Sequence, residues 1–277
     1  MNSRYSQDSL AQFIDGILPA MRAAAADIMA VYAGAFDVEQ KSDSSPLTMA
    51  DLASHRRLVA ALTPLDSAAL VLSEESGPEQ FAARLSARRL WLVDPLDGTR
   101  EFVKRNGEFC INVALVEDGV ACLGALLHPP TGVIWYGAAG LGAWRIDAQG
   151  TSPLQVTKPC PPVPRVATSR SHGHPAVESY YAKLGAVERR PQGSALKFAR
   201  LAEGGLDIYA RLASRCSEWD VAAGQCIVEQ AGGQVIDPHG LALRYNQRDS
   251  LFVHNFLAFG DDSQPWLEGL HGIAIHD

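Results

Sequence analysis

The chain has few of the features that would place it in a specialised class. Its five cysteines, Cys110, Cys122, Cys160, Cys216 and Cys226, include no C-x-x-C pair, which argues against a zinc knuckle and against a disulfide framework. Its eight histidines, among them His172, His174, His254 and His271, make no H-x-x-x-H ligand spacing, so a zinc hydrolase is disfavoured. No apolar run reaches the ~18 residues that suggest a membrane span. Met1 to Asp8 is polar rather than a charged-then-apolar leader. Positive charge is in short supply, with Lys+Arg 24 against Asp+Glu 31, a net charge of −7 and a pI near 5.6. That balance argues against binding a nucleic-acid polymer, which takes a basic face. What remains is an ordinary globular enzyme of 277 residues, 47% hydrophobic, expected in the cytoplasm with peripheral association at the inner membrane as the alternative.

Hydrophobic periodicity supplies the framework. Leu10, Phe13, Ile14, Ile17, Leu18, Met21, Ile28, Met29 and Tyr32 recur at helical spacing and predict a long first helix. After a polar loop from Gln40 to Pro46, Thr48 with Asp51 three residues on reads as the cap of a second helix, continued by Leu52, Leu58, Val59 and Leu62. Apolar stripes on these helices would support a homodimer. Ala69 to Ser73 and Leu90 to Val93 read as buried strands, each ending in acids. Strands over 109–116, 120–127, 132–136 and 143–146, separated by turn signals, predict an antiparallel meander. Gly137 to Gly142 lacks the strand-before, helix-after context of a dinucleotide loop and reads as hairpin turns. Pro153, Pro159, Pro161, Pro162 and Pro164 mark a linker, with a boundary placed at residue 155. That gives an N-terminal metal-binding half, 1–155, and a C-terminal half, 156–277. The second half mixes short strands with helices over 177–184, 194–203 and 221–231, the last stopped by Gly232-Gly233.

Chemistry concentrates in Asp94-Pro95-Leu96-Asp97-Gly98-Thr99. A strand delivers Asp94 to its carboxyl end, Pro95 fixes φ, and Gly98 lets backbone approach closely. The carboxylates of Asp94 and Asp97 and the Leu96 carbonyl can then converge on a hard cation, while the Gly98 and Thr99 amides point at an anion. Taken alone, Asp-Pro and Asp-Gly also make plain turns. Glu74 and Asp220 likewise sit at element ends, where the bland readings are a solvated loop and a helix cap. Acids gathered this closely repel unless a cation compensates, and paired magnesium ions suit phosphoryl transfer to water.

These residues carry a family resemblance. Leu90 to Thr99 and Trp219-Asp220-Val221-Ala222-Ala223-Gly224 resemble the two signature motifs of the inositol monophosphatase superfamily of magnesium-dependent, lithium-sensitive phosphatases, and Ser73-Glu74-Glu75-Ser76 its acidic motif. Ser45-Pro46-Leu47-Thr48, Glu101 to Phe109, Ser169-Arg170-Ser171-His172 and Gly193 to Phe198 look like the CysQ-type 3′(2′),5′-bisphosphate nucleotidases within it. The resemblance implies an α/β (α+β) layered sandwich of the inositol monophosphatase/fructose-1,6-bisphosphatase type, with an N-terminal antiparallel sheet and a mixed C-terminal half. It implies two or three magnesium ions held by Glu74, Asp94, the Leu96 carbonyl, Asp97 and Asp220. Asp51 and Thr99 would orient and deprotonate the attacking water, with Glu75 in support. A small phosphorylated substrate would touch Glu74, Leu96, Asp97, Gly98, Thr99, Arg170, His172, Ser194, Lys197, Arg211 and Asp220.

The implied reaction is hydrolysis of adenosine 3′,5′-bisphosphate to AMP, extending to 3′-phosphoadenylyl sulfate and linked to sulfur metabolism. Two departures stand out: Arg100 where lysine is common, and Ser217-Glu218 before Trp219 where a less charged pair is expected. Glu218 facing the substrate would favour hydroxyl recognition and hence an inositol or other polyol phosphate. A non-catalytic, metal-dependent ligand sensor is the third reading. The set Asp51, Glu74, Asp94, Asp97, Thr99 and Asp220 argues against it, because a sensor has no need of a water-activating pair.

Overall fold

The computed structural model describes residues 5–40, 46–170 and 173–275. Helix α1 (Gln7–Ala33) starts at Ser6, whose hydroxyl accepts from Ser9 N, and buries the stripe Leu10, Ile14, Ile17, Met21, Ala24 and Ile28. A short ribbon, β1 (Val38–Gln40) with β2 (Pro46–Thr48), leads into α2 (Met49–Leu65). Thr48 and Asp51 form the expected capping box. Part of the polar loop read at Gln40 to Pro46 lies outside the described residues.

Both helices cover one face of a seven-stranded sheet. Its strands are β3 (Leu70–Ser73), β4 (Arg89–Asp97), β5 (Cys110–Glu117), β6 (Val120–His128), β7 (Val133–Ala138), β8 (Gly142–Asp147) and β9 (Gly150–Pro153), in that spatial order. Side chains alternate across a strand. Trp91, Val93, Ile111, Val113 and Leu115 meet α1 and α2, whereas Leu90, Leu92, Ala114, Val116 and Leu126 point the other way into a second core. With both faces covered, β4 carries an unbroken apolar run instead of alternating with polar residues.

Between β3 and β4 lie α3 (Pro78–Ala83) and a short 3-10 turn (Arg84–Ser86). This crossover returns the chain to the same edge, so β3 and β4 run parallel, unlike the antiparallel strands that follow. A second difference is at the proline-rich stretch read as a linker. Its first residues are the strand β9, and Leu154 and Val156 are buried in the central core. Helix α4 (Thr99–Val103) is a short turn after β4.

The remaining chain builds a five-stranded sheet of β10 (Arg165–Thr168), β11 (Glu188–Pro191), β12 (Ile208–Arg211), β14 (Gln234–Ile236) and β16 (Phe256–Phe259), in the order β11-β10-β12-β16-β14. A separate ribbon pairs β13 (Cys216–Ser217) with β15 (Phe252–Val253). Helices α6 (Leu196–Ala202) and α7 (Ala222–Gln230) are sandwiched between the two sheets. Helix α5 (Pro175–Lys183) covers the outer face of the second sheet with Tyr180 and Tyr181. The result is the expected layered α/β sandwich. Among the described residues, no helix is long and apolar enough to cross a membrane.

The middle helices lie very close to the large sheet. A Cβ added at Gly124 on β6 would stand 2.3 Å from the carbonyl oxygen of Ala223 on α7. Backbone cannot yield as a flexible side chain can. Gly124→Ala is therefore expected to cost on the order of 1–3 kcal/mol, read as a lower thermal midpoint. Because Asp220 immediately precedes α7, the same variant should weaken divalent-cation binding in titration calorimetry.

Candidate active site

Strand β4 sets the first half of the site. Its register with β5 breaks between Asp94 and Asp97, a bulge at Pro95-Leu96 that turns both acids toward one side. Gly98 then adopts φ +90, and a Cβ there would lie 2.9 Å from the carbonyl of Glu108, so only glycine fits. Asp220 arrives from the other half of the chain. Asn112 Nδ2 on β5 donates to the Trp219 carbonyl at 3.3 Å and ties the start of α7 to the strand beside β4.

One oxygen from each of Asp94, Asp97 and Asp220 lies within 4.8 Å of the others. Backbone amides hold the cluster: Leu96 N donates to Asp94 Oδ1 (2.9 Å), Ala195 N to Asp97 Oδ2 (2.5 Å) and Ser217 N to Asp220 Oδ2 (2.9 Å). Burial, then repulsion from Glu74, Asp97 and Asp220, pushes the Asp94 carboxyl well above the usual carboxylate range. Burial also raises Asp97, opposed by the Ala195 amide and Lys197. Asp220 is pushed up to about 7, by burial first and then by Asp97 and Glu74. Glu74 stands just outside the trio on the wall of the same cavity. An all-oxygen, mutually repelling, partly buried set of this kind fits a hard divalent cation, whose charge removes the repulsion.

Beside the cluster, Thr99 Oγ1 lies 3.2 Å from Asp51 Oδ1 and 3.1 Å from the Leu96 carbonyl. Its single proton serves one acceptor at a time. The other oxygen of Asp51 accepts from Thr48 N (2.8 Å) and Thr48 Oγ1 (2.7 Å), which fixes the carboxylate. Capping and contact with Thr99 thus use different oxygens of one buried side chain.

The cavity measures about 550 Å³. Its wall includes Glu74, Asp94, Leu96, Asp97, Gly98, Thr99 and Asp220, and also Arg170, Ser194, Lys197 and Arg211 from the second half. Lys197 is buried rather than solvated on its helix; Nζ donates to the carbonyls of Ser194 (2.8 Å) and Gln192 (3.2 Å). Burial lowers its pKa to about 8, with Asp97 opposing. Ser194 sits at φ +51, in the left-handed region. Burial opposes the charge on Arg211, but Cys216, Tyr209 and Asp220 around it outweigh that and raise its pKa. A smaller cavity of about 320 Å³ adjoins, sharing Arg100, Ser169, Lys197, Tyr209 and Arg211 with the first.

One expectation comes out differently. Glu218 does not face the cavity: its Oε2 accepts from Asn246 N at 2.8 Å inside the core, and burial pushes its pKa up to about 7. Glu218 opens the 3-10 turn Glu218–Asp220 that follows β13, and this turn carries Asp220 to the cavity wall while the Glu218 side chain is buried in the core. Glu75, expected in support rather than on the substrate, lies off the cavity wall, its amide 3.4 Å from Ser73 Oγ. Arg170 is on the wall but bound in a two-bond pair to Glu108, Nε to Oε2 at 2.7 Å and Nη2 to Oε1 at 2.5 Å. His172 lies outside the described residues. Sequence reasoning missed Glu108, which also accepts from Gly193 N (2.8 Å) and so clamps two loops of the second half. It also missed Tyr209, Arg215 and Phe252 on the wall. No spacing in the sequence announces those contacts, because each joins segments far apart along the chain.

Comparison with known proteins agrees with this layout. The 3′(2′),5′-bisphosphate nucleotidase CysQ of Salmonella typhimurium is 42% identical over 231 residues, 83% of this chain and 92% of that protein. Its Escherichia coli K12 namesake is 39% identical over 245 residues, 88% and 98% of the two chains. Among solved structures, CysQ from Bacteroides thetaiotaomicron, described as a bacterial member of the inositol monophosphatase family, superposes with a TM-score of 0.78 at 32% identity, covering 93% of this chain and 99% of that one. The Thermotoga maritima IMPase superposes at 0.76 with 23% identity, covering 94% and 97%, a likeness of fold. The family model of the inositol monophosphatases matches residues 9–261, and the chain belongs to the inositol monophosphatase family.

Proposed function

We propose that this protein is a magnesium-dependent 3′(2′),5′-bisphosphate nucleotidase that converts adenosine 3′,5′-bisphosphate to AMP and phosphate, and that it also accepts 3′-phosphoadenylyl sulfate. The observation that carries this reading is one cavity holding both the Asp94, Asp97 and Asp220 trio and the cations Lys197 and Arg211. A monophosphate needs only a cation-loaded acidic cluster. A bisphosphate needs a second cationic place, and Lys197 and Arg211 supply it beside the adjoining cavity. With Glu218 turned into the core, the feature that favoured a polyol phosphate is gone. The relatives at 39–42% identity that bear the nucleotidase name support the same reading.

Asp94, Asp97 and Asp220, joined by Glu74 and the Leu96 carbonyl, would hold magnesium, in two or three ions. When bound, magnesium supplies positive charge to the phosphate oxygens and to the departing ester oxygen. The protein's own part is positioning and proton movement. Gly98 and Thr99 line the place of the scissile phosphate. As water attacks phosphorus, Thr99 Oγ1 takes a proton from it and passes its own to Asp51 Oδ1, along the 3.2 Å contact. Asp51 can accept that proton without moving, because Thr48 already holds its other oxygen. Lys197 and Arg211 orient the second phosphate, so the substrate enters in one register.

Phosphate release from adenosine 3′,5′-bisphosphate and from inositol 1-phosphate, measured side by side with magnesium, tests the assignment. The nucleotide should be turned over far faster; no release from it would sink the reading. Thr99→Ala should lower kcat by about 10²–10⁴ with KM nearly unchanged, and Asp94→Asn should abolish both turnover and magnesium binding.

Cation binding should also depend on pH. In the metal-free protein the raised Asp94, Asp97 and Asp220 carboxyls bind protons that the unfolded chain has lost, so this cluster costs stability as pH rises above the ordinary carboxylate range, for Asp220 up to about 7. Magnesium needs the ionised forms and displaces those protons. Magnesium affinity should therefore tighten as pH rises, by about tenfold per pH unit for each proton displaced. The rise in thermal midpoint on adding magnesium should accordingly be larger at pH 8 than at pH 6.

A further inference from the structure

Among the described residues, three aromatic side chains reach the cavity wall: Phe198, Tyr209 and Phe252. Two of them belong to the core. Phe198 and Tyr209 are buried, with ring centroids 5.1 Å apart, and both pack on Phe256 at 5.5 and 5.1 Å. Phe252 is different: it is 37% exposed, and the guanidinium of Arg215 lies 4.6 Å from its ring centroid. Arg215 is on the cavity wall as well.

The backbone fixes where this pair sits. Phe252 is the partner of Ser217 in the antiparallel β13–β15 ribbon, and Glu218 N donates to the Leu251 carbonyl at 2.8 Å. Directly opposed residues of such a ladder put their side chains on one face. Ser217 and Phe252 thus share the face that borders the cavity. Ser217 N also holds Asp220 Oδ2 at 2.9 Å. One ladder pair therefore links the ring to a carboxylate of the acidic trio.

An exposed ring serves no purpose in holding phosphate, and the other aromatic side chains on the wall, Phe198 and Tyr209, are already packed into the core. A phenyl ring capped by a planar guanidinium is instead a surface for stacking a flat heteroaromatic group. We propose that Arg215 and Phe252 form the platform on which the substrate's nucleobase stacks, and that they separate nucleotides from base-free sugar phosphates. The proposal rests on the nucleotidase reading and extends it by assigning the residues that recognise the base. Because stacking accepts any base with an exposed π face, the platform favours nucleotides as a class over any one base.

Titration calorimetry in magnesium with AMP and with ribose 5-phosphate, which lacks the base, isolates this contact. The wild-type protein should bind AMP roughly 10- to 100-fold more tightly. Phe252→Ala should remove most of that advantage and leave ribose 5-phosphate within about twofold, Phe252→Trp should keep it, and Arg215→Gln should lose part of it. Equal wild-type affinity for the two ligands, unchanged AMP binding in Phe252→Ala, or equal weakening of both ligands would overturn the platform. Phosphate release from adenosine 3′,5′-bisphosphate by the wild-type protein is read separately. Normal release together with any of those three results sinks the platform alone, whereas no release sinks the nucleotidase reading itself.

Discussion

Three carboxylates held within 4.8 Å of one another, one buried and two partly so, are the constraint on which the rest of the structure depends. Left alone they would separate or take up protons, and the raised carboxyls of Asp94, Asp97 and Asp220 record that pressure. They stay together because the backbone, rather than the side chains, sets their positions. A bulge in β4 aims two of them, and amides at Leu96, Ala195 and Ser217 each hold one. Two of those amides belong to the second half of the chain, so the cluster exists only when both halves are assembled. A binding site for a hard cation is thereby a consequence of folding, and the electrostatic cost of assembling it is what makes cation binding favourable.

Holding those amides in register requires closely packed layers. Helices α6 and α7 are shared by both sheets, and the hydrophobic cluster around them includes Leu126 and Trp135 of the first sheet with Tyr209, Phe256 and Ala258 of the second. Gly124 lets α7 approach the sheet at backbone distance, and Asn112 reaches across to the Trp219 carbonyl. At the cavity mouth Glu108 performs a similar task, joining the loops that carry Arg170 and Gly193 to the segment after α4. The geometry of the site is inherited from packing: Asp94, Asp97 and Thr99 are placed by the first sheet and the turn that follows it, Asp220 by the turn before α7, and the cations Lys197 and Arg211 by α6 and β12.

Much of this was legible along the chain. Helical periodicity gave α1 and α2, and Thr48 with Asp51 gave the capping box. The hexapeptide from Asp94 to Thr99 and the distant Asp220 identified the acids because carboxylates at the ends of apolar runs are costly without a cation. Local chemistry carries such signals: a capping box is decided within four residues. The parallel pairing of β3 and β4, the strand β9 inside a proline-rich stretch and the inward turn of Glu218 were not legible. Each follows from what the segment packs against.

The sequence by itself determined the candidate acids Asp94, Asp97 and Asp220, through their places at the ends of apolar runs and the resemblance of their motifs to those of the inositol monophosphatases. Only the tertiary structure decided which of them meet. It made Lys197 a buried cation rather than a surface one, removed Glu218 from the site, committed Arg170 to Glu108, and put Phe252 across from Ser217 at the cavity edge. The physical reason is that burial and pairing are properties of contacts between segments tens to hundreds of residues apart. Those contacts set the field and the neighbours of a side chain, and no local pattern encodes them.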